Sequence, residues 1–320
     1  MKPVIATPRV TNLPRRGFLS AAGTLAAAAV LPRAALATDD RTRLILLGTG
    51  GGPRPKKENN ATAQVIVAGG ALYVVDCGDG VARQLVLAGL PLDRLRHVFI
   101  THHHSDHNAD YGNLLLLSWA SGLRTRVDTW GPPPINEITR LFFEMSAYDI
   151  DIRILDEGRV PLVPLIHAHE IAEPGLVMQD ENVKVSCALV PHPMVEPAFA
   201  YRLDAADRSI VISGDTAYSS ELIALARGAD VLVHEALYLP AVDRLVARVP
   251  NASSLRDHLL ASHTSAEDCG KVAAAAGVKT LVLSHFVPPD DPAVTAQMWL
   301  DAARRYFKGE IIVGHDLLEI

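Results

Sequence analysis

Four short apolar stretches of this chain each lead into a side chain that binds metal, and few folds satisfy that pattern. His97-Val98-Phe99-Ile100 leads into Thr101-His102-His103-His104-Ser105-Asp106-His107, and residues 183–190 lead into Pro191-His192-Pro193. Residues 209–213 deliver Gly214-Asp215-Thr216, and residues 280–284 end at His285. Apolar runs of this length, bounded by turn residues, read as buried strands. A lone histidine is more often structural than ligating, but strand ends that repeatedly deliver ligands describe one metal site.

Side chains of an extended segment alternate, so His102 and His104 share one side and can grip a single ion. Asp106 and His107 fall where the chain turns toward the apolar run 114–117, which places them for a second ion. His192, stiffened by a proline on either side, is a natural third ligand for the first ion. His285 completes the second, and the two oxygens of Asp215 can bridge both. Imidazole with carboxylate suits zinc and its neighbours, whereas calcium sites are built from oxygen. A histidine-rich tract that binds metal loosely is the competing reading. It fits poorly with a segment held between two structured elements.

The rest reads as one globular unit behind a leader. At 49% apolar and 21% charged residues the 320-residue chain has ample core. A chain of about 300 residues buries roughly 75% of its unfolded surface without help from disulfides. Cys77, Cys187 and Cys269 lack paired spacing and read as small buried hydrophobes. Near the start, Arg15-Arg16 precedes an alanine-rich apolar stretch too short to span a bilayer, and Ala35-Leu36-Ala37 has the form of a cleavage site. Residues 1–37 resemble a twin-arginine export signal. That implies the export machinery as a partner, a periplasmic or secreted product, and no stable membrane insertion after cleavage. The same 37 residues carry five basic side chains and no acidic one, so without them the net charge moves from −6 to −11. This is a poor footprint for nucleic acid.

Residues 38–320 show no linker or repeat and predict a single mixed α/β domain. Residues 43–47 form a strand that stops at the glycine run 48–52, which lacks the spacing of a nucleotide-binding fingerprint and reads as a loop over the site. Residues 63–67 and 71–76 flank Gly69-Gly70 as a hairpin. A helix follows Gly78-Asp79-Gly80 up to Leu87, and another covers 266–276 with Thr264 or Ser265 as its cap.

The H-x-H-x-D-H signature of His102 to His107, followed in order by His192, Asp215 and His285, resembles the metallo-β-lactamase-fold hydrolases. The likeness covers nearly all of residues 44–320. It implies an α/β (α+β) fold, a four-layer αββα sandwich, with two divalent metals, zinc by default, at one edge. His102, His104 and His192 would bind one metal, Asp106, His107 and His285 the other, and Asp215 would bridge. β-Lactamases with such a site carry a cysteine where Asp215 stands, so the chain looks like the phosphodiesterase-type branch. Residues 231–236 and 261–267 are similar to segments of tRNA 3′-processing endonucleases. By that match Glu235 orients His263, the general acid for the leaving group. Asp106 and Asp215 would hold the metals and orient the nucleophile, a water that two close cations make acidic enough to act near neutral pH.

The expected substrate is a sulfate or phosphate ester with an aryl or other small organic leaving group. Leu47-Gly48-Thr49-Gly50, Asn60-Ala61-Thr62-Ala63, and Val75-Asp76 with Gly78 and Gly80 resemble the exported arylsulfatases of this fold. Trp119, Phe142, Phe143 and Tyr148 offer either an aromatic wall for an aryl group or packing for the helices after the metal run. The long basic arm of tRNA-processing relatives has no counterpart in the short, acidic stretch 166–183, which points away from nucleic acid. Alternatives are a lactone or thioester hydrolase, a ribonuclease Z-like nuclease, and a non-catalytic metal-binding protein. Dimers are common among such relatives, so a homodimer is compatible with the resemblance.

Overall fold

The central strands are apolar on both faces, so each sheet needs cover on both sides. In the computed structural model, which describes residues 41–320, they form two sheets packed face to face and backed by helices. The expected export signal lies outside the described residues. The first sheet contains β1 (Arg43–Gly48), β2 (Ala63–Ala68), β3 (Ala71–Val75), β4 (Leu95–Phe99), β5 (Val127–Gly131) and β6 (Ile166–Glu170), side by side in chain order. The second contains β7 (Gly175–Gln179), β8 (Val183–Leu189), β9 (Phe199–Ala205), β10 (Ser209–Ile212), β11 (Val231–Leu237), β12 (Thr280–Val287) and β13 (Glu310–Val313), again in chain order. Each sheet opens with antiparallel pairs and continues with parallel ones, from β3 in the first and from β10 in the second. Parallel neighbours require crossovers, and helices supply most of them.

Those helices are α1 (Val81–Leu87), α2 (Ser105–Asn108), α3 (Tyr111–Ala120) and α4 (Ile135–Glu157) in the first half. In the second they are α5 (Ser220–Leu225), α6 (Val242–Ala247), α7 (Leu255–Ser262), α8 (Ala266–Ala276) and α9 (Ala296–Arg304). Strand alternation sorts the core into layers. Leu44, Leu46, Tyr73 and Phe99 meet Phe199, Tyr201, Ile212 and Val233 between the sheets. Ile45, Leu72 and Val74 point the other way, toward Leu85, Leu114 and Trp119 of the helices. Leu232, Leu281 and Leu283 likewise face Val272, Ala273 and Trp299. The result is the expected αββα sandwich. All three cysteines are free and buried, and burial pushes the Cys187 thiol up to about 11. Among the described residues no helix is long and apolar enough to cross a membrane.

One strand departs from its expected end. β12 does not stop at His285 but continues to Val287. Ser284 pairs with Glu235 and Phe286 with Ala236, which leaves His285 as the extra residue of a bulge, at φ +44°. A bulge re-aims a side chain without ending the strand.

Candidate active site

The segments that follow β4, β8 and β10 meet the bulge in β12 at one edge of the sandwich. Nδ1 of His104 lies 3.1 Å from Nε2 of His102 and 3.2 Å from Nε2 of His192. A tetrahedral zinc with bonds near 2.05 Å spaces its nitrogens about 3.3 Å apart, so these three fit one ion. Beside them, Nε2 of His285 sits 3.3 Å from Oδ2 of Asp106 and 3.2 Å from Oδ1 of Asp215. Nε2 of His107 is 3.3 Å from that same Asp215 oxygen. Asp215 presents its other oxygen to His102 at 3.9 Å, so one carboxylate faces both clusters. His107 Nε2 and Asp215 Oδ1 are buried without a hydrogen bond, which is costly unless a cation takes the place of the partner. Burial holds His102, His104 and His192 below the usual imidazole range, His192 at about 4. Neutral rings are the form that binds metal. His103 turns away from the clusters, as strand alternation requires, and bonds the Pro132 carbonyl and Asn108.

Asp76 is a supporting residue that the sequence singled out only as part of a family likeness. Its Oδ2 accepts from Nδ1 of His107 at 2.8 Å, and its carboxylate also takes the backbone N–H and hydroxyl of Thr101. The Ser262 carbonyl does the same for Nδ1 of His192 at 3.1 Å. Such partners fix which ring nitrogen faces the metal. Asp76→Asn is expected to weaken metal retention about 10- to 100-fold, measured by competition with a chelator. Unchanged retention would remove Asp76 from the site.

The glycine run does lie over the site. Gly52 donates its N–H to Oδ2 of Asp106 at 2.7 Å, and Lys56 ties the loop by bonding the carbonyls of Gly50 and Gly52. A Cβ on Gly51 would stand 2.7 Å from the His285 ring. Gly51→Ala is therefore expected to displace His285 and lower the metal content without unfolding the chain. Full metal content in that variant would show that the loop yields instead.

Glu235 and His263 meet as the family likeness implied. Oε2 of Glu235 is 3.3 Å from Nδ1 of His263, while Oε1 accepts the N–H of Thr264 at 2.7 Å. Burial disfavours the charged ring, but Glu235, then Asp215 and Asp106, push His263 up to about 9. His263 also stands 3.9 Å from Asp215. His234 bonds the Glu235 carbonyl from full burial and is structural.

A cavity of about 390 Å³ opens over these groups. Of the two readings of the aromatic residues after the metal run, helix packing holds for Trp119, Phe142 and Phe143, and none of the four lines the cavity. Trp119 is buried with its N–H on the Val160 carbonyl, Phe143 packs in the first core layer with Phe142 against it, and Tyr148 is 81% exposed on α4. The apolar wall comes instead from Leu245, Val249, Leu255 and Leu259 on and beside α6 and α7. His258 of α7 lines the cavity too, unflagged by any motif.

The profile of the beta-lactamase superfamily domain matches residues 72–286. Ribonuclease Z of Mycobacterium sp. (strain KMS) is 34% identical over 274 residues, 85% of this chain and 93% of that protein. Human tRNase Z, short form, superposes with a TM-score of 0.64 at 22% identity, over 87% of this chain and 98% of its own. The metallo-beta-lactamase fold protein YhfI from Bacillus subtilis gives 0.65 at 19% identity, over 87% and 98%. Two sheets between helices, a histidine and aspartate cluster suited to divalent metal, and these likenesses agree: the chain belongs to the beta-lactamase superfamily, on its ribonuclease Z-like branch.

Proposed function

We propose that this chain is a metal-dependent phosphodiesterase and that its substrate is RNA. The observation that carries the phosphodiester reading is the Glu235–His263 pair, a ring held at 3.3 Å by one carboxylate and 3.9 Å from another, Asp215. A departing oxygen needs a proton at that place. The RNA reading is drawn from the ribonuclease Z relatives, and Arg54 and Lys56 on the cavity wall supply local positive charge within an acidic chain. The sulfate ester expected from the sequence gives way, because those relatives carry a ribonuclease name.

Two divalent cations, zinc by default, would be held by His102, His104 and His192 and by Asp106, His107 and His285, with Asp215 facing both clusters. When bound, they would make a water nucleophilic near neutral pH and offset charge on the phosphate. The chain's own residues do the rest. Glu235 holds Nδ1 of His263, which leaves Nε2 to protonate the departing oxygen, while Asp106 and Asp215 keep the clusters in register.

The apolar wall favours a second reading, a small aryl phosphodiester. The zinc-loaded full chain should be offered single-stranded RNA, bis-p-nitrophenyl phosphate and p-nitrophenyl sulfate in one assay. Cleavage of both phosphodiesters is expected. Turnover of the aryl diester alone would select the second reading, and dominant sulfate cleavage would overturn both.

Export is part of this proposal and is supported by Arg15-Arg16 ahead of the alanine-rich stretch. Replacing both arginines with lysine is expected to leave the protein in the cytoplasm of a bacterial host. Recovery of that variant from the periplasm would count against the twin-arginine route.

A further inference from the structure

The helix pair α6–α7 is held by its own small core of Leu237, Val242, Leu245, Leu259 and Val287. Its cavity-facing wall is apolar except at His258. That ring meets three site rings nearly edge-on, with centroids 5.9 Å from His104 and His192 and 5.8 Å from His263. It belongs to neither metal cluster. Its Nδ1 lies 3.3 Å from the hydroxyl of Ser262, whose carbonyl supports His192. Among the described residues Nε2 has no partner, and the ring is half-buried at the cavity edge. A polar ring in an apolar wall, anchored at one nitrogen and open at the other, is suited to a substrate atom.

We propose that His258 is a substrate-contacting residue that hydrogen-bonds a hydroxyl beside the departing oxygen, and so selects RNA over DNA. The inference rests on the phosphodiesterase reading with RNA as substrate. The centroids of His258 and His263 stand 5.8 Å apart at one end of the cavity, so both rings are within reach of neighbouring groups of one bound substrate. Oxygens on adjacent carbons are separated by about one hydrogen-bond length. While His263 protonates the departing oxygen, His258 can therefore hold its neighbour. In a strand cut so that the 3′-oxygen departs, that neighbour is the 2′-hydroxyl, which both donates and accepts and marks RNA. Leu255 and Leu259 flank His258 and give the sugar and base an apolar seat.

The test uses the zinc-loaded full chain and two oligonucleotides that differ only in carrying 2′-hydroxyl or 2′-hydrogen at the nucleotide whose 3′-oxygen departs. The wild type is expected to prefer the ribo substrate. His258→Ala should lower kcat/KM on it about tenfold, as for one lost hydrogen bond, and change the deoxy substrate far less. His258→Asn, whose amide can donate and accept, should keep part of the preference, and bound metal should be unchanged in both variants. A parallel fall on both substrates, an unaltered preference, or loss of metal through Ser262 and His192 would overturn this inference alone. A wild type that hydrolyses bis-p-nitrophenyl phosphate but neither oligonucleotide would overturn the RNA reading, and the role of His258 with it.

Discussion

Asp215→Ala is expected to abolish turnover and to strip bound metal from the protein while leaving the fold intact. The Asp215 carboxylate faces both clusters. Its oxygens lie 3.2 Å from His285, 3.3 Å from His107, and 3.9 Å from both His102 and His263. Removing it would take a carboxylate from both clusters at once, and the loss of electrostatic stabilisation should reach on the order of 10³-fold in rate. The fold should survive because Asp215 follows β10 in a turn, outside the strand ladders. Metal content per chain and the thermal midpoint separate the two effects. Two metals retained with full turnover would sink the bridging assignment, and a collapsed midpoint would make the residue structural.

The second large effect is expected at His263, and it should depend on the leaving group. Protonating a ribose oxygen is worth about 10²- to 10⁴-fold, whereas p-nitrophenolate departs without a proton. His263→Ala should therefore cripple RNA cleavage and spare much of the activity on bis-p-nitrophenyl phosphate. Because the ring acts only while protonated, wild-type kcat/KM on RNA should fall as pH rises through its pKa. The carboxylates around the ring raise that pKa above the ordinary value, so the fall lies on the alkaline side. The variant should lack it. Equal losses on both substrates would show that His263 positions the site rather than donating a proton.

The contrast between Asp215 and Asp76 shows how far the chain could be read before it folds. Asp215 follows an apolar run in a chain already rich in histidine ligands, so its spacing carries information. Asp76 also follows a strand, but a single aspartate there is an ordinary turn residue. Its meaning comes from His107, 31 positions on, brought within 2.8 Å once β3 and β4 lie parallel. His285 is a similar case. Its place in the ligand set is legible, but the bulge that aims it is defined only by pairing with β11.

The aromatic residues mark a choice that the sequence left open. Trp119, Phe142, Phe143 and Tyr148 cluster after the metal run and allowed a substrate wall or helix packing, and the first sheet claims Trp119 and Phe143 for its core and leaves Tyr148 facing solvent. Which face of a helix meets a cavity depends on what else needs burial there, and no local pattern records that competition.

Periodicity alone determined the mixed α/β class, and the order of the candidate ligands along the chain singled out the side chains that meet at one edge. Both are local properties: apolar runs of strand length need cover on two faces, and strand ends project whatever side chain comes next. Tertiary structure alone decided the supporting partners, the bulge at His285, the wall built by α6 and α7, and the place of His258. These are contacts between segments far apart in sequence, created when two sheets stack and bring their strand ends to one edge.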